Sequence, residues 1–275
     1  MIGMQRPKWL FLKVLWAGLA VTTASASAAL CADRSIRLQA GVVGSSSDWQ
    51  EYDSRGKRLV HESGTLLGPQ LSAALQCSDW EFEGAWAQLD GTRAYDGQTN
   101  SGTPVVSQST LRQSLGHFRA SYSLTDAWQF GARVSGQTTW RDIASAGGAS
   151  GYPERFDWVI LSVGGQWTAP LAGGRLALGA WAGSQLNSSM TLQLPGRDPS
   201  SLALGPIQQY ELSLGWNVPL SQGWSIQTYM RYLATDIGQG AEAIIYRNGV
   251  PVGVARQPHT TTVDIPIGFR LGYVF

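Results

Sequence analysis

The stretch that decides the fold is the last one, 263-VDIPIGFRLGYVF-275. Val263, Ile265, Ile267, Phe269, Leu271, Tyr273 and Phe275 share one parity, and Asp264, Pro266, Gly268, Arg270 and Gly272 share the other. Successive side chains of a strand point to opposite faces, so this is an extended strand with one wholly apolar face and one face of charge, glycine and proline.

The same alternation recurs upstream. Residues 36–43 read as a first strand, and residues 66–76 as a second with Leu67, Leu71, Ala73 and Leu75 outward. Trp80, Phe82, Gly84 and Trp86 then oppose Glu81 and Glu83, and Phe118, Ala120 and Tyr122 oppose His117, Arg119 and Ser121. Trp128, Phe130, Ala132, Val134 and Trp140 oppose Gln129, Arg133, Gln137 and Arg141; Val159, Leu161, Val163 and Trp167 follow. Leu176, Leu178, Ala180 and Ala182 oppose Trp181, Gln185 and Asn187, while Tyr210, Leu212, Leu214 and Trp216 oppose Gln209, Glu211, Ser213 and Asn217. Trp224, Ile226, Met230 and Tyr232 oppose Gln227, Tyr229 and Arg231 before a last loop with its own hairpin signal, Asn248-Gly249.

Short turns at Ser78-Asp79, Leu124-Thr125-Asp126, residues 170–174 and Ser221-Gln222-Gly223 alternate with long loops. The prediction is an antiparallel up-and-down sheet of about ten strands. Trp80, Trp128, Trp167, Trp216 and Trp224 all stand beside the short turns, as an aromatic girdle at one membrane interface requires. Trp49, Tyr95, Trp140 and Tyr152 are read as the opposite girdle, and residues 45–57 and 95–104 as loop.

On these residues the chain resembles the bacterial outer-membrane β-barrels, whose last strand ends in an aromatic residue behind alternating apolar ones. The resemblance implies an all-β transmembrane barrel with short periplasmic turns and longer extracellular loops in the outer membrane of a Gram-negative bacterium. It also makes Tyr273 and Phe275 an assembly signal read by the barrel-assembly machinery, and outer-membrane lipid and lipopolysaccharide the surroundings of a monomer.

Composition fits that class. Charged residues are 14%, glycines number 33, and mean hydropathy is −0.10, far below that of a helical membrane protein, because a barrel spends half of each strand on a polar lumen. Residues 1–28 read as a signal peptide: Arg6 and Lys8 start it, an apolar run follows, and Ala24-Ser25-Ala26 and Ala26-Ser27-Ala28 offer cleavage sites, leaving 29–275 as the barrel. Leu30 before Cys31 is too large for lipoprotein processing. Loss of Arg6, Lys8 and Lys13 from the 20 basic residues leaves them slightly outnumbered by 19 acidic ones, with no basic run to bind nucleic acid. Cys31 and Cys77 fall at the same rim of neighbouring strands in an oxidising compartment, and a stapling disulfide is expected.

Ten strands enclose too little space for an open channel. By parity the lumen receives Arg37, Glu62, Glu81, Glu83, His117, Arg119, Arg133, Arg141, Glu211, Arg231, Asp264 and Arg270. Buried charges must be paired, so a salt-bridged plug is expected. In layout the chain also resembles the omptin proteases, which set two aspartates across a groove from an Asp-His couple. Asp90 and Asp96 lie in the corresponding loop, but the loop at 192–206 holds no histidine. Lipid-acting barrel enzymes pair a serine with a histidine. His61 with Ser63 is the only such local grouping; Glu62 faces the opposite way, and His117 and His259 with Asp264 complete the weak catalytic candidates. No metal-ligand or nucleotide-binding spacing occurs, so no cofactor is expected. The leading expectation is a non-enzymatic barrel acting through surface loops or in envelope structure; an outer-surface hydrolase of lipopolysaccharide or peptides and a narrow channel are the alternatives.

Overall fold

The structure is a computed structural model that describes residues 31, 34–99 and 102–275. The expected signal peptide lies outside the described residues. Thirteen strands follow in chain order: β1 (Arg34–Tyr52), β2 (Arg58–Cys77), β3 (Trp80–Gln98), β4 (Pro104–Ser123), β5 (Trp128–Ile143), β6 (Pro153–Leu171), β7 (Gly174–Leu192), β8 (Ser200–Leu202), β9 (Ile207–Pro219), β10 (Trp224–Ile237), β11 (Ala243–Arg247), β12 (Val250–Ala255) and β13 (His259–Val274). Ten of them close a barrel: β1 to β7 pair in sequence, β7 pairs with β9, β9 with β10, β10 with β13, and β13 returns to β1. Every barrel pairing is antiparallel, so closure leaves no free edge. The short β8 extends β7, and β11–β12 form a separate hairpin. Asn248 and Gly249 both take positive φ, 51° and 76°, at its two-residue turn, the conformation that matches strand twist.

The exterior of the turn-side half is apolar. Leu38, Val42, Leu67, Leu71, Phe130, Leu161, Val163, Leu212, Met230, Ile267, Phe269 and Leu271 all point out and are exposed to what surrounds the barrel. Trp80, Trp128, Trp216 and Trp224 rim this band at the short turns, with ring contacts Trp80–Tyr122 at 5.3 Å, Trp128–Phe130 at 5.9 Å and Trp224–Tyr273 at 5.1 Å. A closed sheet with such a belt is built to cross a lipid bilayer with every backbone group paired internally. Cys31 and Cys77 are joined, with Cα atoms 5.0 Å apart, where β1 meets β2.

Above the belt the structure departs from the sequence reading in three ways. The strands do not stop there: β1 runs on through residues 45–52 and β3 through residues 95–98, because their inward positions continue to pack. The polarity of the wall also inverts. Trp49 is 2% exposed and Tyr95 8%, and Tyr152 packs inside against the same side chains, so only Trp140 of the four supposed outer-girdle aromatics faces outward. Trp49, Phe156, Trp158, Ile160, Met190, Leu202, Ile207 and Ile237 instead fill the outer mouth as an apolar core. Third, Asn187 does not face the lumen. An irregularity at Val159/Ile160 pairs Ile160 with Gln185 and Val159 with Asn187, turning Asn187 outward with Val159, leaving Leu186 exposed, and bringing Met190 inward opposite Phe156.

Candidate functional site

The lumen is filled in layers. Nearest the short turns, Arg119 bridges Glu81 at 2.6 Å and Glu83 at 2.5 Å, Arg37 meets Glu81 at 3.1 Å, and Arg133 meets Glu211 at 2.8 Å. Arg270 donates through Nε to Gln70 Oε1 at 2.8 Å, an oxygen that also accepts from the Tyr229 hydroxyl at 2.6 Å. Above them Val43, Leu66, Leu89 and Leu111 form an apolar layer. A second ionic cluster follows. Arg141, 2% exposed, donates to Glu62 at 2.6 Å, Glu154 at 2.8 Å and Glu51 at 2.9 Å. Arg93 lies beside Glu62 and donates to Ser47, which donates to Asp264. The Trp49 ring lies under both guanidiniums, 5.7 Å from that of Arg93 and 5.4 Å from that of Arg141, and its indole N–H donates to Glu51. The apolar core of the mouth closes the top.

All the lumen residues expected from parity therefore lie inside the barrel. Arg93, Glu51 and Glu154 join them. Their parity was legible, since Arg93 matches Glu81 along β3 and Glu51 matches Arg37 along β1, but Glu51 lies in the stretch read as loop and Arg93 just before the other.

The catalytic candidates are not brought together. His117 lines a cavity inside the barrel, and Asp264 faces the same cavity from β13. His61 points outward, opposite to the fully buried Glu62, and its Nε2 lies 2.7 Å from Asp48 Oδ2. Ser63 stands across from Asp48 in the β1–β2 register, on that same outer wall. His259 also faces out and meets Asp236 at 2.9 Å, not Asp264. Asp90 is held by Arg112 at 2.7 Å and Asp96 lies near Arg58 at 3.8 Å, both on the exterior. The Asp-His couples thus flank the barrel and do not face each other across its mouth, which the apolar core occupies. Among the described residues no group of three or more His, Cys, Asp and Glu side chains has the arrangement of a metal site.

The outer loops differ from one another in surface chemistry. The β11–β12 hairpin exposes Ile244, Tyr246, Val250, Val252 and Val254 while Ile245 anchors it in the interior. Asp198 fixes the hairpin tip by accepting from the backbone N–H groups of Asn248 at 3.1 Å and Gly249 at 2.9 Å.

No protein-family model matches the chain, and no curated protein matches it in sequence. Solved structures do match in shape. The outer-membrane protease OmpT from Escherichia coli aligns with a TM-score of 0.57 at 9% identity, over 89% of this chain and 97% of that one. The translocator domain of the autotransporter NalP from Neisseria meningitidis aligns with a TM-score of 0.42 at 12% identity, over 96% and 93%. The outer-membrane protein OprG from Pseudomonas aeruginosa aligns with a TM-score of 0.39 at 13% identity, over 88% and 95%. At such identity the OmpT likeness speaks to fold and not to activity. Closed ten-stranded topology and a lipid-facing belt agree with it: the chain has the fold of the bacterial outer-membrane β-barrels.

Proposed function

We propose that this is a non-enzymatic, monomeric outer-membrane barrel with an occluded lumen, acting at the cell surface through its outer loops and above all through the β11–β12 hairpin. The observation that carries this reading is the contrast between a lumen packed shut by ionic and apolar layers and a hairpin presenting five large apolar side chains to solvent. Exposed apolar clusters of that kind are a property of binding surfaces. Refolded in detergent and incubated with lipopolysaccharide and a peptide library, the protein should yield no product by mass spectrometry. In planar bilayers it should show no unitary conductance. A cleaved product or a steady conductance overturns the reading.

A second reading, an outer-surface hydrolase, is favoured by one observation: Asp48, His61 and Ser63 share an exposed wall, with the carboxylate already on the imidazole. A hydroxyl nucleophile needs such a base. If product forms, its loss in both His61→Ala and Ser63→Ala with the barrel still folded assigns the activity to this group.

A further inference from the structure

The lower lumen contains more positive charge than its carboxylates neutralise. Among the described residues, Arg37, Arg119, Arg133, Arg231 and Arg270 face only Glu81, Glu83 and Glu211 there. Glu81 and Glu83 are engaged at short range by Arg37 and Arg119, and Glu211 by Arg133. Arg231 and Arg270 are left with carboxylate contacts of only 3.9 Å and 3.8 Å. An arginine cannot relieve its burial by losing a proton. Incompletely compensated charge in a low-dielectric interior is costly, and a counter-charge beside these groups lowers that cost.

The chamber beside these groups has room for one. A cavity of about 120 Å³ is lined by His117, Arg133, Arg231, Arg270 and Gln70, with Asp264 and Glu211 also on its wall. Asp264 is turned to Ser47 and the neighbouring Arg93, and Glu211 to Arg133. Arg133 is 6% exposed, yet its Nε has no hydrogen-bond partner, and neither has the Nε of Arg119. Tyr229 sets the geometry: Arg231 and Arg270 each lie 4.8 Å from its ring centroid. The ring in turn lies against Gly268, where any Cβ would meet it at 2.4 Å.

We propose that this chamber binds a small inorganic anion of halide size, held by Arg231 and Arg270 with Arg133 behind them. A volume of this order admits such an ion together with several waters. Binding to the folded barrel alone raises its stability in a saturable way.

The test compares unfolding of the detergent-refolded protein in sodium bromide and in sodium gluconate at matched ionic strength. Bromide should raise the midpoint saturably over gluconate, an order opposite to that expected from general salt effects. Arg231→Gln should weaken the apparent bromide affinity about tenfold or more, the loss of one charge-assisted contact. Anomalous diffraction from bromide-soaked wild-type crystals gives a reading independent of how the variant folds, and should place a peak between Arg231 and Arg270. Equal midpoints in the two salts with no peak in the chamber, or bromide found on the exterior only, overturns the proposal.

Discussion

Replacing Arg141 by Met tests whether the upper ionic cluster holds the outer half of the barrel together. The guanidinium makes four charge-assisted hydrogen bonds, two to Glu62 and one each to Glu51 and Glu154. The side chains of those carboxylates are 0%, 11% and 6% exposed, so removing Arg141 strands them with only Arg93 nearby. Deleting one partner of a buried ion pair costs about 3–5 kcal/mol. Four lost bonds at roughly 1.5–3 kcal/mol each would exceed that if nothing relaxed. Local relaxation of the stranded side chains offsets part of the loss, and a destabilisation of about 4 kcal/mol is expected, roughly a thousandfold in the folding equilibrium. Urea titration of the barrel in lipid vesicles, followed by tryptophan fluorescence and gel mobility, reads it directly. Adding Glu62→Gln to Arg141→Met should restore part of the stability, because one stranded charge is gone; the coupling distinguishes electrostatics from lost packing. A loss under about 1 kcal/mol, or a double variant less stable than Arg141→Met alone, refutes the reasoning.

Four further outcomes follow from other parts of the molecule. The Cys31–Cys77 bridge spans a sequence separation of 46, so the paired alanine variant should lose up to about 4 kcal/mol by chain entropy, read as a lower midpoint that reductant reproduces in the wild type. Phe156→Ala, at a site 0% exposed in the mouth core, should cost about 3–5 kcal/mol in the same titration. Asp53, in the β1–β2 turn, accepts from the backbone N–H groups of Lys57 and Arg55, which hold its carboxyl below the usual range. The turn should therefore be ordered above about pH 4 and loosen as pH falls through the depressed folded value, with NMR titration of Asp53 as the check and an ordinary carboxylate midpoint as the contrary result. Phe275→Ala should reduce the fraction of chain inserted into the outer membrane while leaving the stability of protein refolded in detergent near that of the wild type.

Much of this architecture was legible in the chain. The strict alternation of Val263 to Phe275, the tryptophans beside short turns, and the parity of Glu81, Arg119 and Arg133 all follow from one rule, apolar out and polar in. That rule fails above the belt, where the outside meets water and the inside becomes the place to bury apolar surface. Trp49 and Tyr95 were assigned outward on height alone, when their parity with Arg37 and Glu81 already put them inside. The shift that turns Asn187 outward has no composition signal, since it depends on how β6 and β7 pair. His61 and Ser63 were visible as a pair, but Asp48 was not: it sits 13 residues from His61 in sequence and meets it only through the hairpin register.

The length of the strands beyond the belt sets where the surface chemistry acts. A strand rises about 3.3 Å per residue, and a tilt near 40° leaves roughly 2.5 Å of height for each. The 19 residues of β1 therefore stand close to 50 Å tall, against about 25 Å of apolar band. Some 20 Å of rigid wall projects outward as a pier. On it the hairpin is carried clear of the bilayer, without the entropy of a flexible stalk. In the surface role proposed above, those apolar side chains would be offered on a fixed platform, and truncating the pier while keeping the hairpin would lower it toward the membrane.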